Sequence, residues 1–419
     1  MRVVGISSWE PRACGIATYF KEQSNAIARL GHQYQVICHV DEGRHEGQPG
    51  VHALIDLENP RWYQPVYDRI VNDLRPELVH IQHEFGLYKA QTESSHDEAA
   101  GLLALLGLLQ MKGVPTVVTC HTLCGKMKPQ EAVHYRAMIP LSTITVAHAR
   151  YQVERLKDNL GSVPHNVTYV EHGATLHSVE EIERLRAEGK RHFGYEGYQV
   201  VGLNGWWASS KNFLPIIRAW GTDIYPRLHN PKTLLVVAGA ARPSDPDQLL
   251  YKADMMKAIE ESPARDTIRV VERRFTPEEF ERSLASFDLA VLPYKSASQS
   301  GVAAHTGAVG TPMLLRDLEG LGAYARAAHQ ALMPLTDDPI ADVMAASRSI
   351  VEIMNDPERL RSMREAVIRY TWDVTSWPKV AERYDRVYRH AVAMSRQDHR
   401  LQHIYARLVM PMIWTGAAA

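Results

Sequence analysis

The sequence predicts an α/β chain of two parallel-sheet domains facing a shared crevice, on three observations. Short β-branched runs bounded by turn residues alternate with longer segments of helical periodicity, the pattern of stacked βα units. The alternation gives way after Gly173 to a charged helical stretch and restarts near Val200. The chain has 419 residues, 45% of them hydrophobic, enough for two buried cores.

In the first half, strands are expected at 2–7, 34–40, 51–55, 78–82, 115–120, 142–147 and 167–171. Helices are expected at 16–30, 98–112 and 149–160. The first is the clearest: Ile16, Tyr19, Phe20, Ala26, Ile27 and Leu30 recur at three- and four-residue steps, and Gly31 stands where a left-handed cap ends a helix. A charged helix at 179–192 closes the first domain, and the Gly194–Gly197 stretch after it reads as the link between domains. In the second half, strands are expected at 200–204, 233–238, 267–271, 289–293 and 312–315, with helices at 213–220, 277–287 and 302–309. From Pro339 the pattern is helical, ending in 377–394 and in 399–414, which Pro411 interrupts. The predicted domains are 1–193, 194–376 and a helical tail, 377–419.

Charge and cysteine content narrow the function classes. With 47 basic and 48 acidic residues the net charge is −1, so no general excess of positive potential marks a nucleic-acid binder. The four cysteines, Cys14, Cys38, Cys120 and Cys124, lack the paired spacing of a structural zinc site and read as reduced thiols. No basic-then-apolar leader precedes the first strand, and no apolar stretch reaches spanning length. A cytoplasmic protein is expected, soluble or peripheral at a membrane. The apolar side of 399–414 serves that contact, a partner or the protein's own surface.

In open parallel sheets, ligands meet the carboxyl ends of the strands, so residues just after strands matter most. After the first strand, Gly15 and Ile16 open a helix whose N–H groups suit an anion or a sugar oxygen; a plain turn is the alternative. His83 and Glu84 follow the fourth strand and His121 the fifth. Each histidine reads either as a carbonyl cap or as a site residue. His80 and His83 differ by an odd step and point to opposite faces of a strand, which argues against a shared metal. His172-Gly173 forms another strand-end edge. In the second half, Lys211 stands beside a helix start, as a phosphate contact or a solvated side chain. Ser298, Gln299, Ser300 and Gly301 open the helix at 302, and a plain N-cap needs only one of them, so gripping a diphosphate or its sugar is favoured.

Taken in order, these segments resemble the family-4 retaining glycosyltransferases of GT-B architecture, with two Rossmann-like domains, from residue 1 to about 395. The glycine loop matches Pro11–Tyr19, the strand-end histidine segment Gln82–Gly86, the donor-side histidine His121, and the His-Gly pair His172-Gly173. The second-domain lysine matches Lys211, the late signature runs from Asp288 to Pro312, and Trp377 resembles the tryptophan opening the closing helix, which in the family crosses back onto the first domain. The resemblance implies metal-independent transfer of a hexose, with retention, from a UDP- or GDP-linked donor to a hydroxyl of a carbohydrate or other acceptor. No cofactor beyond that co-substrate is implied. Lys211, Ser300, Gly301 and the Gly15 loop would stabilise the departing diphosphate, His121 would hold the donor sugar, and His83, Glu84 and His172 are the further substrate-binding candidates.

Two departures bear on the donor. Aligned on Gly310–Pro312, the positions where the family carries paired glutamates hold Ala297 and His305, the second being the usual ribose ligand. Members with a Gln-Ser-Gly helix start often lack the first. The arginine that precedes the family's lysine falls at Trp206, leaving Arg273 or Arg274 to supply positive charge, or to serve only the surface. Glycosyl transfer leads; a glycoside phosphorylase on the same scaffold and a non-catalytic sugar-binding relative stay open, while the acceptor loops, read as 41–50 and 88–97, encode no substrate.

Overall fold

The computed structural model describes residues 1–12, 14–40, 48–89, 100–123, 126–297 and 299–408, with side chains given up to 396. Ser298, Cys124, most of the two acceptor loops and the end of the tail lie outside the described residues. The chain divides into two compact units, Met1–Glu171 with Val380–Ala419, and His172–Lys379.

The first unit carries seven strands, β1 (Arg2–Ile6), β2 (Gln33–His39), β3 (Val51–Ile55), β4 (Leu78–His83), β5 (Thr116–Cys120), β6 (Ile144–Ala147) and β7 (Val167–Tyr169). They form one parallel sheet in the order β3-β2-β1-β4-β5-β6-β7. Its helices are α1 (Gly15–Ala28), α2 (Tyr63–Asp68), α3 (Ala100–Lys112), α4 (Pro129–Leu141) and α5 (Arg150–Leu160). Gly31 ends the α1 turn at φ +86°, a conformation that favours glycine. On one side of the sheet Val4, Ile6, Val79, Ile81 and Val118 pack with Leu102, Leu105, Met138 and Leu156 into a continuous core.

The second unit has α6 (Val179–Phe193), β8 (Gln199–Trp206), α7 (Phe213–Ala219), β9 (Thr233–Ala240), α8 (Pro246–Glu260), β10 (Ile268–Glu272), α9 (Pro277–Ala285), β11 (Leu289–Leu292), α10 (Gly301–Ala308), β12 (Met313–Arg316), α11 (Glu319–Ala327), β13 (Ala331–Met333), α12 (Pro339–Met354) and α13 (Pro357–Tyr370). Its parallel sheet runs β10-β9-β8-β11-β12-β13. Both units therefore have the Rossmann-like arrangement the sequence predicts. In each, the strand order reverses at one point, between β1 and β4 and between β8 and β11, the place where open parallel sheets bind their ligands.

Three features differ from the sequence reading. The charged helix α6 belongs to the second unit instead of ending the first. Its Gly189 permits this: a Cβ there would lie 2.3 Å from the Arg282 carbonyl oxygen, so only glycine lets α6 and α9 approach so closely. Second, β13 is only three residues long, too short to show alternation. Third, α14 (Trp377–Leu408) runs unbroken where two helices were expected, because 395–398 are polar but contain no helix breaker. From Val380 onward it groups with the first unit. Among the described residues no helix is long and apolar enough to cross a membrane.

Gly189→Val should lower the melting temperature, because overpacking of this kind costs about 1–3 kcal/mol. A thermal melt matching the unsubstituted chain would show that α6 and α9 do not depend on this contact.

Candidate functional site

In the second unit the two loops at the strand-order reversal are tied together directly. Lys211 ends the loop after β8, and the segment Pro293–Ser300 follows β11; the Lys295 N–H donates to the Ser210 carbonyl at 2.8 Å. Gly205 and Gly239, paired across β8 and β9, make the first loop possible. A Cβ on Gly239 would sit 1.9 Å from the Gly205 carbonyl oxygen, and both glycines adopt positive φ. The Lys211 Nζ lies over the Tyr294 ring, 3.7 Å from its centroid. Tyr294 is fully buried, so the ring holds the ammonium in place on one side.

Ser300 caps α10, its hydroxyl accepting from the Ala303 N–H at 3.3 Å. Gly301 opens the helix with no side chain over its first turn. The nearest atom to a Cβ there would be the His172 Nε2, 3.8 Å away. Gln299 precedes the cap, half-buried. The His-Gly pair owes its place to its glycine: a Cβ on Gly173 would collide with the Trp377 indole at 2.3 Å. With the indole seated there, Ala174 donates to the Thr375 carbonyl at 2.8 Å, Trp377 N–H donates to Ala174 at 2.9 Å, and Ala174 packs on Ala304 and Ala308 of α10. His172 is thereby set at the start of α10, its Nδ1 bonded to the Gly173 carbonyl at 2.8 Å.

His305 projects from the same helix, its ring edge-on to Phe280 at 5.6 Å. Neither position expected to hold a glutamate does so, yet α9 brings one nearby. Glu281 bonds to His177 at 3.4 Å. Burial alone would raise the Glu281 carboxyl; the hydrogen bond and charge of His177, the charge of His305 and the Thr175 hydroxyl outweigh it and hold the group below its ordinary range. Sequence reading missed Glu281 because it sits mid-helix, away from any strand end, and missed the Tyr294 support because tyrosine after a strand carries no signal of its own. Among the described residues the Tyr294 hydroxyl and the His305 Nδ1 are buried without a hydrogen-bond partner.

Arg273 stands apart from Lys211. It follows β10, two strands from β8, and its exposed guanidinium pairs with Glu279 at 3.0 Å.

In the first unit Gly15 opens α1 with nothing within 4 Å of where its side chain would be, and Ile16 packs on the core. His80 and His83 do face opposite sides of β4. His83 is stacked with His134, the rings 4.7 Å apart and their Nε2 atoms at 2.8 Å. Glu84 accepts from the Thr122 hydroxyl at 2.7 Å and the Phe85 N–H at 3.0 Å, and burial raises its carboxyl. His121 is held by a hydrogen bond to Gln82 at 2.9 Å and lies edge-on to Tyr19. Among the described residues no three His, Cys, Asp or Glu side chains are grouped to hold a metal ion.

Burial keeps several histidines neutral. It lowers His80 to about 3, His134 to about 4 and His148 to about 4, and pushes His83 well down, with a neighbouring histidine adding to the effect at His80 and His83. An unfolded histidine titrates near 6.5. As pH falls below that value the unfolded chain gains protons that the folded chain refuses, so stability must drop. Melting temperature should therefore decline steadily from pH 6.5 to 5, before most carboxylates protonate, and His134→Gln should flatten that slope. A melting temperature constant over this window would show the histidines exposed to solvent.

Residues 13–178 match the family model described as Glycosyltransferase Family 4. A relative named D-inositol 3-phosphate glycosyltransferase 1, from Catenulispora acidiphila, is 24% identical over 328 residues, 72% of each chain. Among solved structures, sucrose-phosphate synthase from Thermosynechococcus elongatus superposes with a TM-score of 0.71 at 14% identity, over 94% of this chain and 99% of that one. The Anabaena HepE protein in complex with UDP gives 0.69 at 11%, over 92% and 99%.

Proposed function

We propose that this chain, a glycosyltransferase enzyme of the family-4 type with two Rossmann-like domains, moves a sugar from a UDP- or GDP-linked donor to an acceptor hydroxyl with retention and without a metal ion. The supporting observation is the pairing at the β8/β11 reversal: a lysine braced on a tyrosine ring and a serine-capped, side-chain-free helix start, on loops bonded to each other. This is the equipment a departing diphosphate needs. Lys211 supplies a full positive charge, the N–H groups of α10 supply fixed donors, and both are set before the bond breaks. A diphosphate on the α10 start also lies beside His172. The Glu281 carboxylate beside His305 is the nearest substitute for the absent family glutamate. In the first unit, His121, with His83 and Glu84 at the neighbouring strand end, serves sugar hydroxyls. Donor complexes of the Anabaena HepE protein, solved with UDP-glucose, accord with a nucleotide-linked donor.

UDP or GDP at millimolar concentration should raise the melting temperature by mass action. Lys211→Ala should weaken that nucleotide about ten- to a hundredfold, the worth of one charged hydrogen bond, whereas Arg273→Ala should leave it within about threefold. Neither nucleotide shifting the melt, or Arg273→Ala costing as much as Lys211→Ala, would sink this assignment. Chelator-insensitive turnover, with NMR of the fresh product showing the donor's anomeric configuration, checks the remaining two features.

A further inference from the structure

Beneath His121 runs a chain of buried polar groups that the proposed chemistry does not use. His121 Nε2 lies 2.9 Å from Gln82 Oε1. Gln82 Nε2 donates to Gln23 Oε1 at 2.7 Å, and Gln23 Nε2 donates to the Tyr19 hydroxyl at 3.3 Å. The Tyr19 and Tyr384 hydroxyls are 3.4 Å apart, Tyr384 reaches Thr119 at 3.0 Å, and Thr119 reaches His80 Nε2 at 2.8 Å. His80 Nδ1 ends the chain on the Tyr388 hydroxyl at 2.6 Å. It starts at the carboxyl edge of the sheet, passes under α1 and finishes on α14. His121 is 8% exposed, and no other member exceeds 3%.

The proton directions follow from the donor inventory. Gln82 Oε1 only accepts, so the nitrogen bonded to it, His121 Nε2, carries a hydrogen. From there the groups donate in turn, Gln82 to Gln23, Gln23 to Tyr19, Tyr19 to Tyr384, Tyr384 to Thr119, and Thr119 to the lone pair of His80 Nε2, while the Gln82 Nε2 also lies 3.2 Å from His80 Nε2 and cross-links the two ends of the network. His80 Nδ1–H then donates to Tyr388. With the Gln82 and Gln23 amides oriented as placed, every amide, hydroxyl and ring nitrogen on the path is satisfied in this one sense, and burial penalises a single member turned the other way.

We infer that Gln82 is a positioning residue that fixes His121 as its Nε2-protonated tautomer, with the chain through Gln23, Tyr19 and Tyr384 holding Gln82 in register. Nδ1 is then the basic nitrogen, a hydrogen-bond acceptor suited to a hydroxyl and unsuited to a phosphate oxygen. For its consequence at the active site this rests on the reading of His121 as a sugar contact; the tautomer itself belongs to the resting protein and is measured without substrate.

The test is long-range proton–nitrogen correlation NMR on the full chain labelled with ¹⁵N-histidine, His121 being assigned by the signals lost in His121→Gln. The unsubstituted protein should show His121 protonated at Nε2. Gln82→Leu should release it into a tautomer mixture. Gln82→Glu, which keeps the oxygen facing His121 and gives up only the N–H toward Gln23, should keep the Nε2 proton and raise the His121 titration midpoint by about one unit through the added charge. His121 protonated at Nδ1 in the unsubstituted protein, or an unchanged midpoint in Gln82→Glu, overturns the inference.

Discussion

A parallel sheet covered by helices has no wet face, and that constraint governs both units. Polar groups along a strand must find partners inside, and only the strand ends are left to meet a ligand. The first unit obeys in two ways. One side of the sheet is apolar, with Val79 and Ile81 of β4 under α3 and α4. The other carries His80, Gln82 and Thr119, fully buried and bonded to one another and to side chains of α1 and α14. In the second unit the pressure is met at the sheet's base, where the Asp288 carboxylate takes Lys190 at 2.7 Å, the Arg186 guanidinium and the Val200 N–H at 2.8 Å, fixing β11 against β8. That fixed register sets the two loops in which Lys211 and Gly301 sit.

How much of this could be read beforehand depended on whether a residue's role is local. The parallel sheet of each unit follows from alternating βα units, though its strand order does not, and Gly31 announces its own turn. The Gly15 helix start, the Ser300 cap and the opposite faces of His80 and His83 are consequences of spacing. The charged helix α6 misled because the linker-like Gly194–Gly197 stretch follows it, and its allegiance is decided by one glycine, Gly189, whose reason lies about ninety residues away in α9. Glu281 was hidden for the same cause: its neighbours His177 and His305 are distant in sequence.

The His-Gly pair shows a middle case. His172-Gly173 and Trp377 are both visible as motifs, but nothing in the sequence says that the glycine exists to admit the tryptophan. Once the indole is in place, the backbone of Ala174 is bonded on both sides and the imidazole is aimed at α10. A packing requirement thus fixes the direction of a polar side chain, and the motif is structural and functional at once.

The one-way chain from His121 to Tyr388 has a consequence for how this sequence can drift. Losing a link such as Tyr384 leaves neighbouring polar groups short of a partner in a dry interior. Gln23, Gln82, Tyr19 and Tyr384 are therefore bound as a set, and replacing two adjacent members by a matched apolar pair should cost less than the sum of the separate changes. Descendants of this chain would be expected to exchange the set wholesale or leave it intact, so that a strand-end residue, His121, and a helix some 260 residues further on share one history.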